Sequence, residues 1–282
     1  MKEKFKKGIY IVPSLITCGN MTFGILSIFS SIGNDFITAS WCLVAALVCD
    51  ILDGRIARMT KTTSEFGMQL DSLSDLVSFG IAPALMMYLM VLKTMDKIGI
   101  AIAVLFVLCS ALRLARFNVK AHQSTQSGKT SKYFIGLPTP ASAGLLISFV
   151  LSYELLDPEG NVFNSKTIPD LMNLMPFFYN MVPIALVVLS FLMVSNIPYT
   201  SFKKLKLTKV RTIELLTLLI VLIILIIVFP QNVIFLIFSF YVLSGIIFYI
   251  PRLLVNRRRQ KKQEQEQLDT EQQKQENNDI TT

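Results

Sequence analysis

Charge is scarce in this chain: only 16% of its 282 residues are Asp, Glu, Lys or Arg, where a soluble domain carries about a quarter. Histidine is almost missing. His122 stands alone, read as a loop residue with no acid at a useful spacing, which argues against a catalytic histidine. The four cysteines, Cys18, Cys42, Cys49 and Cys109, lie in or near apolar segments without paired metal-ligand spacing, so they read as small packing residues. The opening MKEKFKKGIY lacks a separate apolar region followed by a small-residue cleavage site, and no removable signal peptide is expected.

Apolar residues fill the gap, at 52% of the chain with a mean hydropathy of +0.55. They come in blocks such as 212–229 and 233–250, each close to the roughly 20 residues that a bilayer crossing needs. Neither block has a polar stripe at helical period, and several in one chain exclude a soluble fold. We read an all-α integral membrane protein of about eight transmembrane helices, near 13–32, 36–59, 66–92, 98–118, 135–153, 175–195, 212–229 and 233–251. A short N-terminal interfacial helix is expected over residues 1–12, where lysines precede Ile9, Tyr10 and Ile11. Residues 206–255 hold two C-terminal spans, and the Gln-, Glu- and Lys-rich tail 256–282 is expected to be disordered.

The net charge of +8 sits beside hydrophobic blocks, where it meets anionic membrane lipids and not nucleic acid. Lys61, the lysines of 119–133, the cluster Lys203 to Arg211 and the arginines after Pro251 fall in one set of loops with the N-terminus. The opposite 154–174 loop carries Glu154, Asp157, Glu159 and Asp170 against Lys166. That asymmetry predicts a multi-pass cell-membrane protein with both termini cytoplasmic.

Acids inside spans are costly and mark function. Asp50 and Asp53 close the second span, and Asp71 and Asp75 open the third. On a helix each pair lies near one face, with Gly54 and Ala57 beside Asp50 leaving room for a ligand at the backbone. Four converging carboxylates repel one another unless cations intervene. Two divalent ions with a taste for oxygen, Mg2+ or Mn2+, would supply that charge and suit phosphoryl chemistry. Pairing with Arg55, Arg58 and Arg113 is the purely structural alternative.

The run Asp50-x2-Asp53-Gly54-x2-Ala57-Arg58-x8-Gly67-x3-Asp71-x3-Asp75 resembles the complete signature of the CDP-alcohol phosphotransferase family. Three further stretches are similar to the bacterial and archaeal phosphatidylserine synthases within it: Pro13 to Gly24, with Ser14 where asparagine is usual, Ala111 to Asn118, and Phe134 to Ala141. Met193 to Tyr199 and Ser201 to Lys203 complete the pattern, so the likeness covers about residues 10–205.

The resemblance implies a six-helix catalytic core over 13–205, a homodimer, and transfer of a phosphatidyl group from CDP-diacylglycerol to L-serine with release of CMP. It implies that Asp50, Asp53, Asp71 and Asp75 hold two metal ions and that Asp75 is the general base. Gly54, Ala57, Arg58, Ser64 and Gly67 would contact the CDP-lipid, although Ser64 also suits a helix cap. Arg113, Arg116 and Asn118 are candidates for the serine carboxylate, with a cation at a helix end as the plain alternative. Asn20, Thr22, Gly136 and Pro138 are candidates to line the pocket; interhelical bonding and a helix break are their structural readings. The donor motif alone leaves other acceptors open, glycerol 3-phosphate or inositol phosphate among them. An ion-coupled transporter is the reading from another class, but neither inverted repeats nor a second acidic set appears in the sequence.

Overall fold

The computed structural model describes residues 2–60, 64–127, 134–154, 175–199, 232–245 and 247, with side chains at 13–60, 64–121, 136–152, 180–197, 232–245 and 247. The chain divides into two compact units, Met1–Val242 and Leu243–Thr282, and the packing described below belongs to the first. The proposed span 212–229, most of the 154–174 loop and the tail 256–282 lie outside the described residues.

The described fold is helical: α1 Lys2–Ile32, α2 Phe36–Thr60, α3 Glu65–Asp75, a π-helical turn Leu76–Ile81, α4 Ala82–Met90, α5 Asp96–Ser127, α6 Thr139–Glu154 and α7 Met175–Val194. A further apolar helix runs over Asn232–Gly245. Four stretches are long and apolar enough to cross a membrane: Pro13–Ile32, Phe36–Thr60, Glu65–Met90 and Leu92–Ala121. The protein is membrane-embedded.

Two boundaries differ from the sequence reading. Residues 2–12 do not form a separate interfacial helix, because α1 continues unbroken from Lys2 through Pro13 to Ile32. The fourth span also runs on as α5 to Ser127, which makes His122 a helical residue. No glycine or proline stands between Asn118 and Ser127 to end it.

The helices are inside out by soluble standards. On α1, Pro13, Thr17, Asn20, Gly24, Ser27 and Ser31 are buried at alternating spacings of four and three, while Leu15, Leu26, Phe29 and Ile32 are exposed. Lipid tails are as apolar as leucine, so burying leucine between helices gains little, and small residues that let backbones approach are favoured instead. Gly24 illustrates this: a Cβ there would collide with the side chain and backbone of Ser78. α2 continues the seam with Ala39, Leu43 and Ala46, and α1 packs on α2 more than on any other element.

The π turn sits at the centre, touching α1, α2, α5 and α6, with Ser78, Phe79 and Gly80 buried. Its cause is local. Pro83 has no N–H, and its ring crowds the carbonyl four residues back, so the turn before it widens and the Ala82 N–H reaches the Val77 carbonyl. At the α1–α2 turn, Asn34 takes a left-handed φ of 62°. The Asp35 carboxylate caps α2 through the Thr38 N–H at 3.0 Å, and the Thr38 hydrogen bonds hold its pKa below the usual carboxylate value.

Candidate active site

Asp50 and Asp53 extend the inward seam of α2, and Asp71 and Asp75 face it from α3. Asp50, Asp53 and Asp71 each offer a carboxylate oxygen within 4.8 Å of the others. Asp75 lies outside this tight group, buried at 8% exposed, yet within electrostatic reach of all three. Among the described residues no direct ion pair joins any of the four to a lysine or arginine. Arg58 lies within electrostatic reach of Asp50 and Arg113 of Asp75, but neither closes an ion pair with them, and carboxylates this close repel one another unless a cation joins them. The donor set is all oxygen and hard, which fits a divalent ion of the Mg2+ or Mn2+ kind.

A face of small residues adjoins the acids. The Arg58 guanidinium folds over Gly54, with its nitrogens 3.8 and 3.9 Å from where a Cβ would stand, and Ala57 is half-buried on the same stretch. Ser64 caps α3, its hydroxyl accepting the Gly67 N–H at 3.0 Å. The cap reading is therefore correct for the oxygen, while the hydroxyl proton remains outside that bond.

α1 acts as a ruler for the acids. Ser74 donates to the Thr17 carbonyl at 3.1 Å and Ser78 to the Asn20 carbonyl at 3.0 Å, which bolts the helices together on either side of Asp75. The Asn20 amide donates to Asp75 Oδ1 at 3.4 Å. Asn20 Oδ1 and Asp53 Oδ2 are buried without a hydrogen-bond partner. Thr22, a candidate for the pocket wall, is exposed and bonds back to the Cys18 carbonyl of its own helix at 2.8 Å. It is two residues past Asn20, on the far side of α1.

The two arginines of α5 part company. Arg113 is 9% exposed, donates through Nη1 to Thr139 Oγ1 at 2.6 Å, keeps a buried Nε–H without a partner and lies within electrostatic reach of Asp75. Arg116 turns to the end of α7. Its guanidinium donates to the carbonyls of Val194 at 2.8 Å and of Met193 and Ser195 at 3.2 Å, and to Asn196 Oδ1 at 3.3 Å. Expected as a ligand of an acceptor carboxylate, Arg116 has its donors directed in this structure at a helix C-terminus, where carbonyls lack intrahelical partners.

Gly136 belongs to the same junction. Its φ is +85° and a Cβ would run into the Met193 carbonyl and Arg116, so it packs against the end of α7. The Pro138 carbonyl accepts the Ala141 and Ser142 N–H groups to start α6. Asn118 is tied to Ser72 at 2.9 Å and Gln69 at 3.4 Å, which joins α5 to α3 next to Asp71. Sequence reasoning passed over Thr17, Ser74, Ser78 and Thr139. The signal was the two serines flanking Asp75 at four-residue spacing in an apolar span.

Of the buried polar atoms without a partner, Asp53 Oδ2, Asn20 Oδ1 and Arg113 Nε belong to the acids and their neighbours, since Asn20 bonds Asp75 and Arg113 lies within its electrostatic reach. A model of the family described as CDP-alcohol phosphatidyltransferase matches residues 10–172. A Helicobacter pylori protein named CDP-diacylglycerol–serine O-phosphatidyltransferase is 40% identical over 201 residues, covering 70% of this chain and 75% of its own. Proteins of the same name are 32% identical in Bacillus subtilis over 197 residues, 68% of this chain and 92% of that one, and 39% identical in Methanocaldococcus jannaschii over 142 residues, 50% and 61%. With its signature acids gathered as described, the chain belongs to the CDP-alcohol phosphatidyltransferase family.

Proposed function

We propose that this chain transfers the phosphatidyl group of CDP-diacylglycerol to the hydroxyl of L-serine, forming phosphatidylserine and CMP. The observation that carries the reading is the trio Asp50, Asp53 and Asp71, with oxygens within 4.8 Å and no cationic side chain paired to them, in a chain whose relatives are named for this reaction. Asp50, Asp53 and Asp71 would hold divalent ions, Mg2+ or Mn2+, with Asp75 as a further donor. When bound, such ions neutralise the pyrophosphate and stabilise the attacking and leaving oxygens.

The rest is done by side chains. Gly54 and Ala57 leave the α2 backbone open to the cytidine end of the donor, and Arg58 lies over that opening to meet phosphate. The acyl chains stay in lipid, since α2 carries exposed Ile51 and Leu52 beside Asp50 and Asp53. Asn20 fixes Asp75 Oδ1, which leaves Oδ2 to take the proton of the serine hydroxyl as its oxygen attacks phosphorus. The bond from phosphorus to the CMP oxygen breaks, and CMP leaves.

Two orphaned atoms favour an amino-acid acceptor. Arg113 Nε–H is a buried donor suited to a carboxylate, and Asn20 Oδ1 is a buried acceptor suited to an ammonium. The active site opens to the cytoplasm in this reading, on the side of the basic loops, and the enzyme works as a homodimer. A panel of acceptors offered with labelled CDP-diacylglycerol to the purified protein tests the assignment. Serine alone should yield labelled lipid; product from a phosphorylated alcohol at a matching rate would overturn it.

A further inference from the structure

The helix Asn232–Gly245 lies beyond the residues that match the family model, yet it packs directly on α6. The Phe235 ring stands 6.4 Å from that of Phe149, and the Phe238 ring fills the space over Gly144, where any Cβ would collide with it. Moving up this helix thus moves down α6: Phe235 meets residue 149 and Phe238 meets residue 144. Another turn along the same face carries Tyr241 to the first turn of α6, since each residue advances about 1.5 Å. That is where Thr139 receives the Arg113 guanidinium. Burial agrees with the register, for Tyr241 is half-buried and Val242 buried while Leu236, Ile237 and Phe240 are exposed. Arg113 and Tyr241 lie within electrostatic reach of each other.

We propose that Tyr241 is a positioning residue of the acceptor pocket, its phenol setting the Arg113 guanidinium for the carboxylate of the incoming amino acid. The inference rests on the reading of Arg113 given under the proposed function and extends the site to a helix outside the family match. A tyrosine suits the place physically: its ring packs with the phenylalanines of the same face, and its hydroxyl supplies the polar end that a buried guanidinium needs. Thr139 holds one edge of that guanidinium from α6 and Tyr241 approaches from the neighbouring helix, while the Nε–H stays buried and unpartnered.

The test compares Tyr241→Phe, Arg113→Lys and the outward-facing control Phe240→Leu in the full-length, detergent-purified protein, reading KM for serine, KM for CDP-diacylglycerol and kcat. Tyr241→Phe keeps the ring and removes the hydroxyl; it should raise the serine KM several-fold, through loss of the polar group within electrostatic reach of the guanidinium. The CDP-diacylglycerol KM should stay within about twofold, and Phe240→Leu should match the parent. The double variant should raise the serine KM no further than Arg113→Lys alone, as expected for residues acting as a unit. A Tyr241→Phe enzyme with unchanged serine KM, beside an Arg113→Lys enzyme whose serine KM has risen, overturns the role of Tyr241 and leaves the pocket standing. An unchanged serine KM in Arg113→Lys overturns both. Equal losses for the two substrates in Tyr241→Phe would mark the tyrosine as a packing residue and also end the proposal.

Discussion

Two polar regions lie within this apolar bundle, and they differ in how completely their hydrogen bonds are made. At the junction of α5, α6 and α7, Arg116 reaches three carbonyls and an asparagine oxygen, and Gly136 and Leu137 donate to the Ile197 and Leu192 carbonyls. At the recess between α1, α2, α3 and α5, Asp53 Oδ2, Asn20 Oδ1 and Arg113 Nε are buried and unpartnered. Polar groups are costly in a membrane interior wherever they occur. The first junction is closed by the chain itself, whereas the second keeps an acid, an amide oxygen and a guanidinium N–H unpaired beside one another's residues, as expected of a place that receives a charged ligand. Arg113 and Arg116, three residues apart on one helix, fall on opposite sides of that division.

Substitutions break the comparison in a graded way. Asp75→Asn should lower turnover roughly a thousandfold, the scale of a lost general base, while CDP-diacylglycerol binding, measured by retention of labelled lipid, survives. Full turnover in that variant would remove Asp75 from the chemistry. Arg116→Ala should behave as a scaffold change, costing about 3 kcal/mol of stability and lowering kcat/KM for both substrates alike. A loss confined to serine would return Arg116 to the pocket. Gly136→Ala should mimic it, because a Cβ there meets the Met193 carbonyl and Arg116 at a φ of +85°; thermal unfolding in detergent reads the effect. Ser78→Ala should be mildest, about 0.6 kcal/mol, the average of interhelical bonds in membranes.

Much of this division was visible in the sequence, though unevenly. The acids could be read because a pair at helical spacing, three apart on α2 and four apart on α3, stands on each helix, and because apolar spans make any carboxylate conspicuous. The first four spans follow from block length alone. The bonds of Arg116 were not legible, because spacing on α5 puts it near Arg113 but says nothing of α7, whose C-terminal carbonyls it meets. The same holds for Thr22, whose hydroxyl finds a carbonyl of its own helix, a local competition invisible in a polar count. The π turn follows from Pro83, yet its docking through Ser78 against Gly24 is a tertiary fact. Tyr241 sits in a block that reads only as a span.

The central claim is that Asp50, Asp53 and Asp71 are tolerated together because divalent ions join them. It is tested most directly by assaying purified protein with CDP-diacylglycerol and serine after chelation, then adding back Mg2+ or Mn2+. CMP release should stop with the chelator and return with the metal, and Asp71→Asn should weaken that return. Undiminished CMP release in the chelated enzyme would contradict the account.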